Sequence, residues 1–269
     1  MVEQVVDPAH SPRPRLRRFL NKTLRNVAVA ELTKPRTLPA VPITITTTVL
    51  GTAALAAVFA ASALRQPAVP PHLAASAVLD TGLQAILYGQ IGFILLGIFA
   101  MASEYGGNQI RTTLVSIPNR ISLIAGKTVA YLAGATLTAL ITVAALVTST
   151  QTTLSEHGAR VSDFFTARNL GTMLGATAYL VLIGLFANSV DILVRSLVTT
   201  LVMMLTLVLV LSPFLATITP VAAYLPDRAG SLLYQTVPTP SPIHGAVIMG
   251  AWVAAMLTVA ITVFTKRDA

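Results

Sequence analysis

The chain has 269 residues, of which 54% are hydrophobic and only 10% are charged. Average soluble domains carry about 25% charged residues, so this composition excludes an ordinary soluble enzyme, and its hydrophobicity excludes a disordered chain. The absence of cysteine excludes thiolate metal sites and cysteine nucleophiles. The net charge of +8 at pH 7 suits either nucleic acid or a membrane surface, and its distribution along the chain decides between them.

Charge-free stretches mark where the chain can cross a membrane. A charged residue at the centre of a membrane helix costs roughly 2.5–3.5 kcal/mol, and about 20 helical residues cross a hydrocarbon core of about 30 Å. No period-2 alternation typical of membrane barrels recurs. The sequence therefore predicts an all-α integral membrane protein with one domain over residues 37–269. Its six expected spans are Pro42–Leu64, Thr81–Ser103, Ile121–Thr150, Leu170–Ala187, Ser196–Thr217 and Ile243–Thr265.

Basic residues are distributed unevenly between the two sides of these spans. Fourteen of the 18 Lys and Arg residues fall in the N-terminal segment, the connections after spans two and four, and the C-terminus, and four fall on the opposite side. Because basic connections stay in the cytoplasm, we expect a multi-pass protein of the cell membrane with both termini cytoplasmic. A cleaved signal peptide fits poorly, since the basic region and the apolar run after it are both too long.

The first 36 residues contain two different patterns. Residues 1–14 hold three prolines and are predicted to form a disordered lead. Residues 15–36 begin with an apolar arc opposite a basic arc, typical of an amphipathic helix in the membrane interface. This helix is either a topology anchor or a contact for a cytoplasmic partner, and both interpretations stay open. Nucleic-acid binding is disfavoured because no soluble reading domain follows.

The connection between spans two and three is longer than a tight turn requires. Gly106 and Gly107 interrupt the helix that leaves the membrane. Ile110 and Leu114 then recur at helical spacing, and Pro118 ends the pattern. The residues predict a short amphipathic helix. The connection that contains it is either a solvated interfacial segment or a lever that transmits motion from a soluble partner.

A family resemblance centres on this connection. The stretch from Glu104 to Arg120, followed by Lys127, resembles the Glu-Tyr … Ile-Arg … Leu … Pro-x-Arg … Lys stretch of ABC-2-type transporter permeases. Gln109 stands where that family most often has Thr. Weaker similarities, at Glu31–Lys34 before span one and at Tyr224–Asp227 after span five, extend the resemblance over nearly the whole chain.

The resemblance implies the membrane permease of an ATP-binding cassette exporter. In that family the connection between spans two and three is a cytoplasmic coupling helix that docks on a separate ATPase subunit. The implied partners are that ATPase, a second permease copy or homologue, and the lipid bilayer. ATP and magnesium belong to the ATPase, so no cofactor is expected in this chain. The matching residues are the expected ATPase-coupling residues: Glu104, Tyr105, Ile110, Arg111, Leu114, Pro118 and Arg120.

Residues for chemistry by the chain itself are lacking, so we expect no enzyme activity. Gly126-Lys127-Thr128 matches only the second half of a phosphate-binding loop, because Ile121 stands where its first Gly is required. We expect Lys127 instead to anchor the cytoplasmic end of span three by snorkelling. The four His are scattered, so no metal site is expected. No Asp or Glu lies at a span centre, which disfavours an ion-coupled carrier.

The resemblance also indicates where a substrate passes, since related permeases carry it between the second and fifth spans of two subunits. The expected substrate is hydrophobic or amphipathic, such as a drug, an antibiotic, a peptide or a lipid. Two other functions stay open, namely a non-transporting membrane anchor or assembly module and a membrane-embedded hydrolase. The expected wall residues of the pathway are Gln84, Tyr88, Thr199, Met203 and Thr206.

Overall fold

A computed structural model describes residues 39–65, 79–105, 120–155, 166–235 and 241–267. Within these ranges every regular element is helical. The long helices are α1 (Ala40–Leu64), α2 (Ile86–Tyr105), α3 (Arg120–Ser155), α4 (Ala167–Val194), α5 (Leu197–Ile218) and α7 (Pro242–Arg267). A helical turn over residues 79–83 precedes α2. The short helix α6 (Pro226–Ser231) lies between α5 and α7.

Six helices are long and apolar enough to cross a membrane. This confirms, for the described residues, the prediction of an all-helical multi-pass membrane protein with six spans. The helices α3 and α4 are longer than the spans predicted for them. Both continue into polar residues at their ends, because such residues do not by themselves end a helix. The helix α4 runs through Asp191, which the charge rule had placed after span four. Asp191 stays within the helix because Thr200 of α5 donates a hydrogen bond of 3.1 Å to its Oδ1 atom.

The turn from α4 to α5 takes only two residues. Arg195 adopts a left-handed conformation with φ of 57°, and its backbone N–H donates to the Asp191 carbonyl over 2.7 Å. Ser196 then caps α5, since its side chain accepts from the backbone N–H of Thr199. This tight turn holds α4 and α5 side by side as an antiparallel pair.

Neighbouring helices alternate in direction. Thr52 of α1 faces Gly89 of α2, and Thr48 faces Gly92, so α1 and α2 are antiparallel. Gly97 of α2 meets the Gly184 backbone of α4, and α2 and α4 run parallel. The six alternating spans therefore bring Ala40 and Arg267 to one end of the bundle, which we call the terminal end. The opposite end, where α1 finishes and α4 begins, is the far end.

The closest packing joins α2, α3 and α4. A Cβ at position 97 would overlap the Gly184 carbonyl oxygen, so the backbones of α2 and α4 touch there. Tyr131 of α3 lies over the same place and donates a hydrogen bond of 3.2 Å to the Val181 carbonyl. Small residues allow such approach between membrane helices. The three helices form a shared centre, and α1, α5 and α7 are more exposed around it.

The chain between α5 and α7 folds back against the bundle at its far end. This return segment, residues 219–235, contains a 3-10 turn (Pro220–Tyr224) and α6. The Leu233 backbone lies against Gly175 of α4, and the Ala229 carbonyl lies against Gly245 of α7. Trp252 of α7 donates a hydrogen bond of 2.8 Å from Nε1 to the Tyr224 carbonyl. The return segment is thus a packed part of the fold.

Three predicted features fall outside the described residues. They are the lead at residues 1–14, the amphipathic helix at 15–36 and the short helix of the connection between α2 and α3. These three features stay predictions.

Candidate functional site

A cavity of about 870 Å³ opens among the helices in the far half of the bundle. Its walls come from α1, from the second span, from α4 and α5, and from the return segment. Small-molecule sites typically occupy about 300–1,000 Å³, so the cavity has the capacity of a ligand site. It brings together side chains from five elements that are far apart in the sequence.

The deep part of the cavity is held by a buried hydrogen-bond chain. The Tyr179 hydroxyl of α4 donates to Oε1 of Gln90 on α2, and Gln90 Nε2 donates over 2.8 Å to the Leu87 carbonyl. Both side chains are almost fully buried, with 2% and 1% of their surface exposed. Buried polar groups require such partners, so Tyr179 and Gln90 fix each other and fix the position of α2 against α4.

Aromatic rings form much of the remaining wall. The Tyr179 and Tyr234 rings lie 5.3 Å apart between centroids, at 46° to each other. Phe59 of α1 and Tyr88 of α2 pair in the same way at 6.1 Å. Tilted pairs at these distances are favourable for aromatic side chains. Tyr88 keeps 48% of its surface exposed, so its ring is open to a ligand.

The return segment contributes an acidic and a basic side chain to the cavity. Asp227 is buried, and its Oδ1 atom has no hydrogen-bond partner. Arg228 is exposed and donates from Nε to the Ser212 hydroxyl over 3.3 Å. Burial raises the pKa of the Asp227 carboxyl above its usual range, and the Ser212 hydroxyl and Arg228 oppose that change only in part. Asp227 is therefore an under-satisfied acceptor at the cavity wall.

Two other ionisable groups complete the electrostatics of the cavity. Asp80 lines the cavity from the turn that precedes α2, and it lies within electrostatic range of Arg168 at the start of α4. Burial raises the pKa of the Tyr234 phenol, and the Asp227 carboxylate adds to the effect. Tyr234 consequently stays a neutral phenol at any physiological pH.

The helix α5 changes its winding beside the cavity. Residues Thr206–Leu211 form a π-helix, and Val208 within it and Pro213 beyond it line the cavity. Proline has no N–H and clashes with the carbonyl four residues earlier, so the backbone widens before Pro213. Local π-helical turns occur often at functional sites, and this one shapes the wall contributed by α5.

The predicted pathway residues separate into two groups. Gln84 and Tyr88 of the second span lie in the cavity wall. Thr199, Met203 and Thr206 lie on the exposed side of α5, and other residues of that helix line the cavity instead. A pathway role for these three therefore depends on a second subunit, as the family resemblance implied.

Three of the seven predicted coupling residues lie at the terminal end of the bundle. Glu104 and Tyr105 end α2, and Arg120 begins α3. The other four, Ile110, Arg111, Leu114 and Pro118, fall outside the described residues. Their contact with a partner stays a prediction.

Of the residues that line the cavity, the sequence predicted Gln84 and Tyr88 and missed the others, including Gln90, Tyr179, Asp227 and Tyr234. The sequence analysis assigned none of these four residues a role in ligand binding. One signal was available for Asp227, since it forms with Arg228 the one acid–base pair in the long, otherwise uncharged stretch between Arg195 and Lys266. Tyr179 and Tyr234 gave no such signal because their pairing depends on the return of the chain.

A second polar cluster lies near the terminal end. Lys127 of α3 is buried and donates from Nζ to the Ala100 carbonyl over 3.4 Å, so its amino group turns inward to α2. Arg195 lies over the Phe264 ring of α7 at 5.4 Å. Among the described residues, no group of three or more His, Asp or Glu side chains could hold a metal ion. This cluster ties the ends of α2, α3, α4 and α7 together.

No protein-family model matches the chain, and no curated protein matches it significantly.

Proposed function

We propose that this chain is the permease subunit of an ATP-binding cassette exporter. The observation that carries the proposal is the cavity of about 870 Å³ among membrane-spanning helices, in a chain that lacks a complete phosphate-binding loop. A cavity of this kind suits a hydrophobic or amphipathic substrate. The energy for moving that substrate then has to come from another subunit, and the Glu104–Arg120 motif is where that subunit docks.

Packing between α2 and α4 supports a mechanical link from this dock to the cavity. The coupling connection continues directly from Tyr105 at the end of α2. Further along the same helix, Gly97 touches the α4 backbone and Gln90 bonds to Tyr179. A helix moves largely as a rigid rod, so displacement of its terminal end shifts the cavity wall as well. Nucleotide-driven motion of the ATPase would thereby change access to the cavity.

The assembly we propose contains two permease subunits and two ATPase subunits in the cell membrane, with both termini cytoplasmic. The helix α5 exposes large apolar side chains along its length, including Val202, Met203 and Phe214. Such a face packs against lipid or against a second membrane helix. The basic connections, which predict the cytoplasmic side, also place the coupling residues where an ATPase can reach them.

The test of this proposal is co-purification of the chain with an ATPase encoded beside it. We expect a stable complex whose ATPase rate in detergent falls severalfold when Arg111 is replaced by Ala. The matched control is Arg160→Ala, which removes the same charge from the connection between α3 and α4 on the opposite side. Equal effects of both replacements, or no complex, would contradict the exporter and favour a membrane anchor. Hydrolysis of lipid or peptide without ATP would favour a membrane hydrolase.

A further inference from the structure

The charged groups that line the cavity favour one sign of ligand charge. The described lining contains two carboxylates, Asp80 and Asp227, and one guanidinium, Arg228. Arg228 is exposed to solvent, and its Nε already bonds to Ser212. Asp227 is buried with Oδ1 unpartnered. Arg168, which does not line the cavity, lies within electrostatic range of Asp80 and partly offsets its charge. The least screened charge at the cavity wall is therefore the negative charge of Asp227, because burial excludes water there.

The aromatic side chains add to this preference. Four of them line the cavity: Phe59, Tyr88, Tyr179 and Tyr234. The face of an aromatic ring carries a partial negative charge and attracts cations within about 6 Å of the centroid. The faces of such rings attract a quaternary or protonated nitrogen that lies between them. This attraction does not require the nitrogen to form a hydrogen bond with each surrounding group. The remaining lining is uncharged, with Leu83 and Leu87 beside Gln84 and with the hydroxyl of Ser231.

We propose that the cavity binds amphipathic organic cations, in which a single positive charge is carried on a bulky apolar body. The charge lies against Asp227 and the neighbouring rings, and the body occupies the space between α2 and α5. This deepens the proposed function by naming a substrate class. The binding step itself depends only on this chain, so it can be tested without the ATPase.

A pair of probe ions tests the sign of charge directly. Tetraphenylphosphonium and tetraphenylborate have nearly the same size and shape and opposite charges. We expect tetraphenylphosphonium to bind the full chain in a neutral detergent, measured by equilibrium dialysis against protein-free micelles at pH 7.5. We expect tetraphenylborate to bind at least tenfold more weakly. Equal affinity for the two ions, or tighter binding of the borate, would overturn the proposal.

Variants then locate the charge. Asp227→Asn should weaken tetraphenylphosphonium binding about tenfold, and Arg228→Gln should strengthen it, because these replacements change the local charge in opposite directions. The matched control Asp268→Asn removes a carboxylate beyond the end of α7 and should leave binding unchanged. Binding that ignores both cavity variants, or that falls equally with the control, would overturn the proposal. Size-exclusion profiles confirm that each variant remains folded.

Tyr88 supplies a second, independent readout. Tyr88→Leu should weaken tetraphenylphosphonium binding about three- to tenfold, since it removes a ring that forms a cation–π contact with the ligand. Tyr88→Phe keeps the ring and should bind like the unmodified chain. A Leu variant that binds as well as the Phe variant would show that the aromatic ring does not contribute to binding, and it would overturn the proposal.

These results separate the substrate class from the exporter. Cation-selective binding without an ATPase complex would retain the cation site and contradict the exporter. An ATPase complex sensitive to Arg111 together with no preference for the cation would retain the exporter and contradict the substrate class.

Discussion

Asp227 is the residue at which the proposed ligand binding and stability oppose each other most clearly. Its carboxyl group is buried at the cavity wall, and Oδ1 lacks a hydrogen-bond partner. Burial of a carboxylate without full compensation costs free energy, which is why its pKa is raised. A residue kept only for folding would be better replaced by a neutral one. Its presence at the cavity wall is explained if the negative charge serves a ligand.

Replacing Asp227 by Asn should stabilise the protein at neutral pH. Because the pKa of Asp227 is higher in the folded state, the folded chain holds more protons than the unfolded chain at pH values between its two pKa values. The free energy of unfolding of the wild type therefore falls as the pH rises from about 3.9, the ordinary Asp pKa, through the pKa of Asp227 in the folded state. Above that pKa, this contribution to the free energy of unfolding is constant. A relief of about 1 kcal/mol raises the melting temperature of such a chain by about 2–4 °C.

Thermal melting of both proteins in detergent checks this expectation. The variant should melt higher at pH 7.5, and the difference should disappear below about pH 3, under the ordinary Asp pKa, where the wild-type carboxyl is protonated in both states. A variant that melts lower at pH 7.5 would show that Asp227 has a stabilising partner when ionised.

At the scale of the helices, the neighbouring helix determines which small residues allow a close approach. In the sequence, Gly171 and Gly175 of span four and Ala130 and Gly134 of span three have the four-residue spacing of small residues that is typical of membrane helix packing. In the structure a Cβ at Gly175 would overlap the Leu233 carbonyl, whereas positions 171 and 134 meet nothing within 4 Å. The tightest contact between the backbones of two spans, among the described residues, is instead at Gly97 and Gly184. A spacing motif identifies close approach only when the partner helix is known, and the sequence does not supply the partner.

Gly97→Ala should destabilise the bundle. The added methyl group would overlap the Gly184 carbonyl oxygen, and backbone cannot rotate away as a side chain does. Overpacking of this kind costs about 1–3 kcal/mol, and it should also disturb the Gln90–Tyr179 bond on the same pair of helices. The matched control is Gly134→Ala, whose methyl group meets nothing within 4 Å.

Fluorescence-detected size exclusion after stepwise heating measures both variants. We expect Gly97→Ala to lose its monodisperse peak several degrees below the unmodified chain, and Gly134→Ala to retain it. If both variants lost the monodisperse peak at the same temperature, the backbones of α2 and α4 would not be in contact at Gly97, and the prediction would be wrong.

For the whole molecule, composition predicted the six spans because membrane insertion depends on summed hydrophobicity over about 20 residues, a local property. Helix ends were harder to predict from composition, because they depend on contacts with other helices. Asp191, for example, remains in α4 and accepts a hydrogen bond from Thr200 of the next helix. The cavity was predicted in part. Gln84 and Tyr88 carry a local signal, as polar residues on an apolar helix, whereas Tyr179 and Tyr234 join them only through tertiary contact.

The predicted orientation of the molecule rests on a different property, the 14-to-4 distribution of basic residues, and it can be tested by cysteine labelling. The natural chain contains no cysteine, so each single replacement gives an unambiguous signal. We expect Ser162→Cys, between α3 and α4, to react with a membrane-impermeant maleimide in intact cells. Ser116→Cys, between α2 and α3, should react only after permeabilisation, because positively charged connections remain in the cytoplasm.

The two positions flank the same helix, α3, so each is the control for the other. Ser11→Cys should behave like Ser116→Cys, since six spans return both termini to one side. Labelling of Ser116→Cys in intact cells would place the Glu104–Arg120 connection outside, where no ATP-hydrolysing subunit can act on it. The exporter would then be contradicted, while the cavity and its preference for cations would remain open to the binding test, which does not depend on orientation.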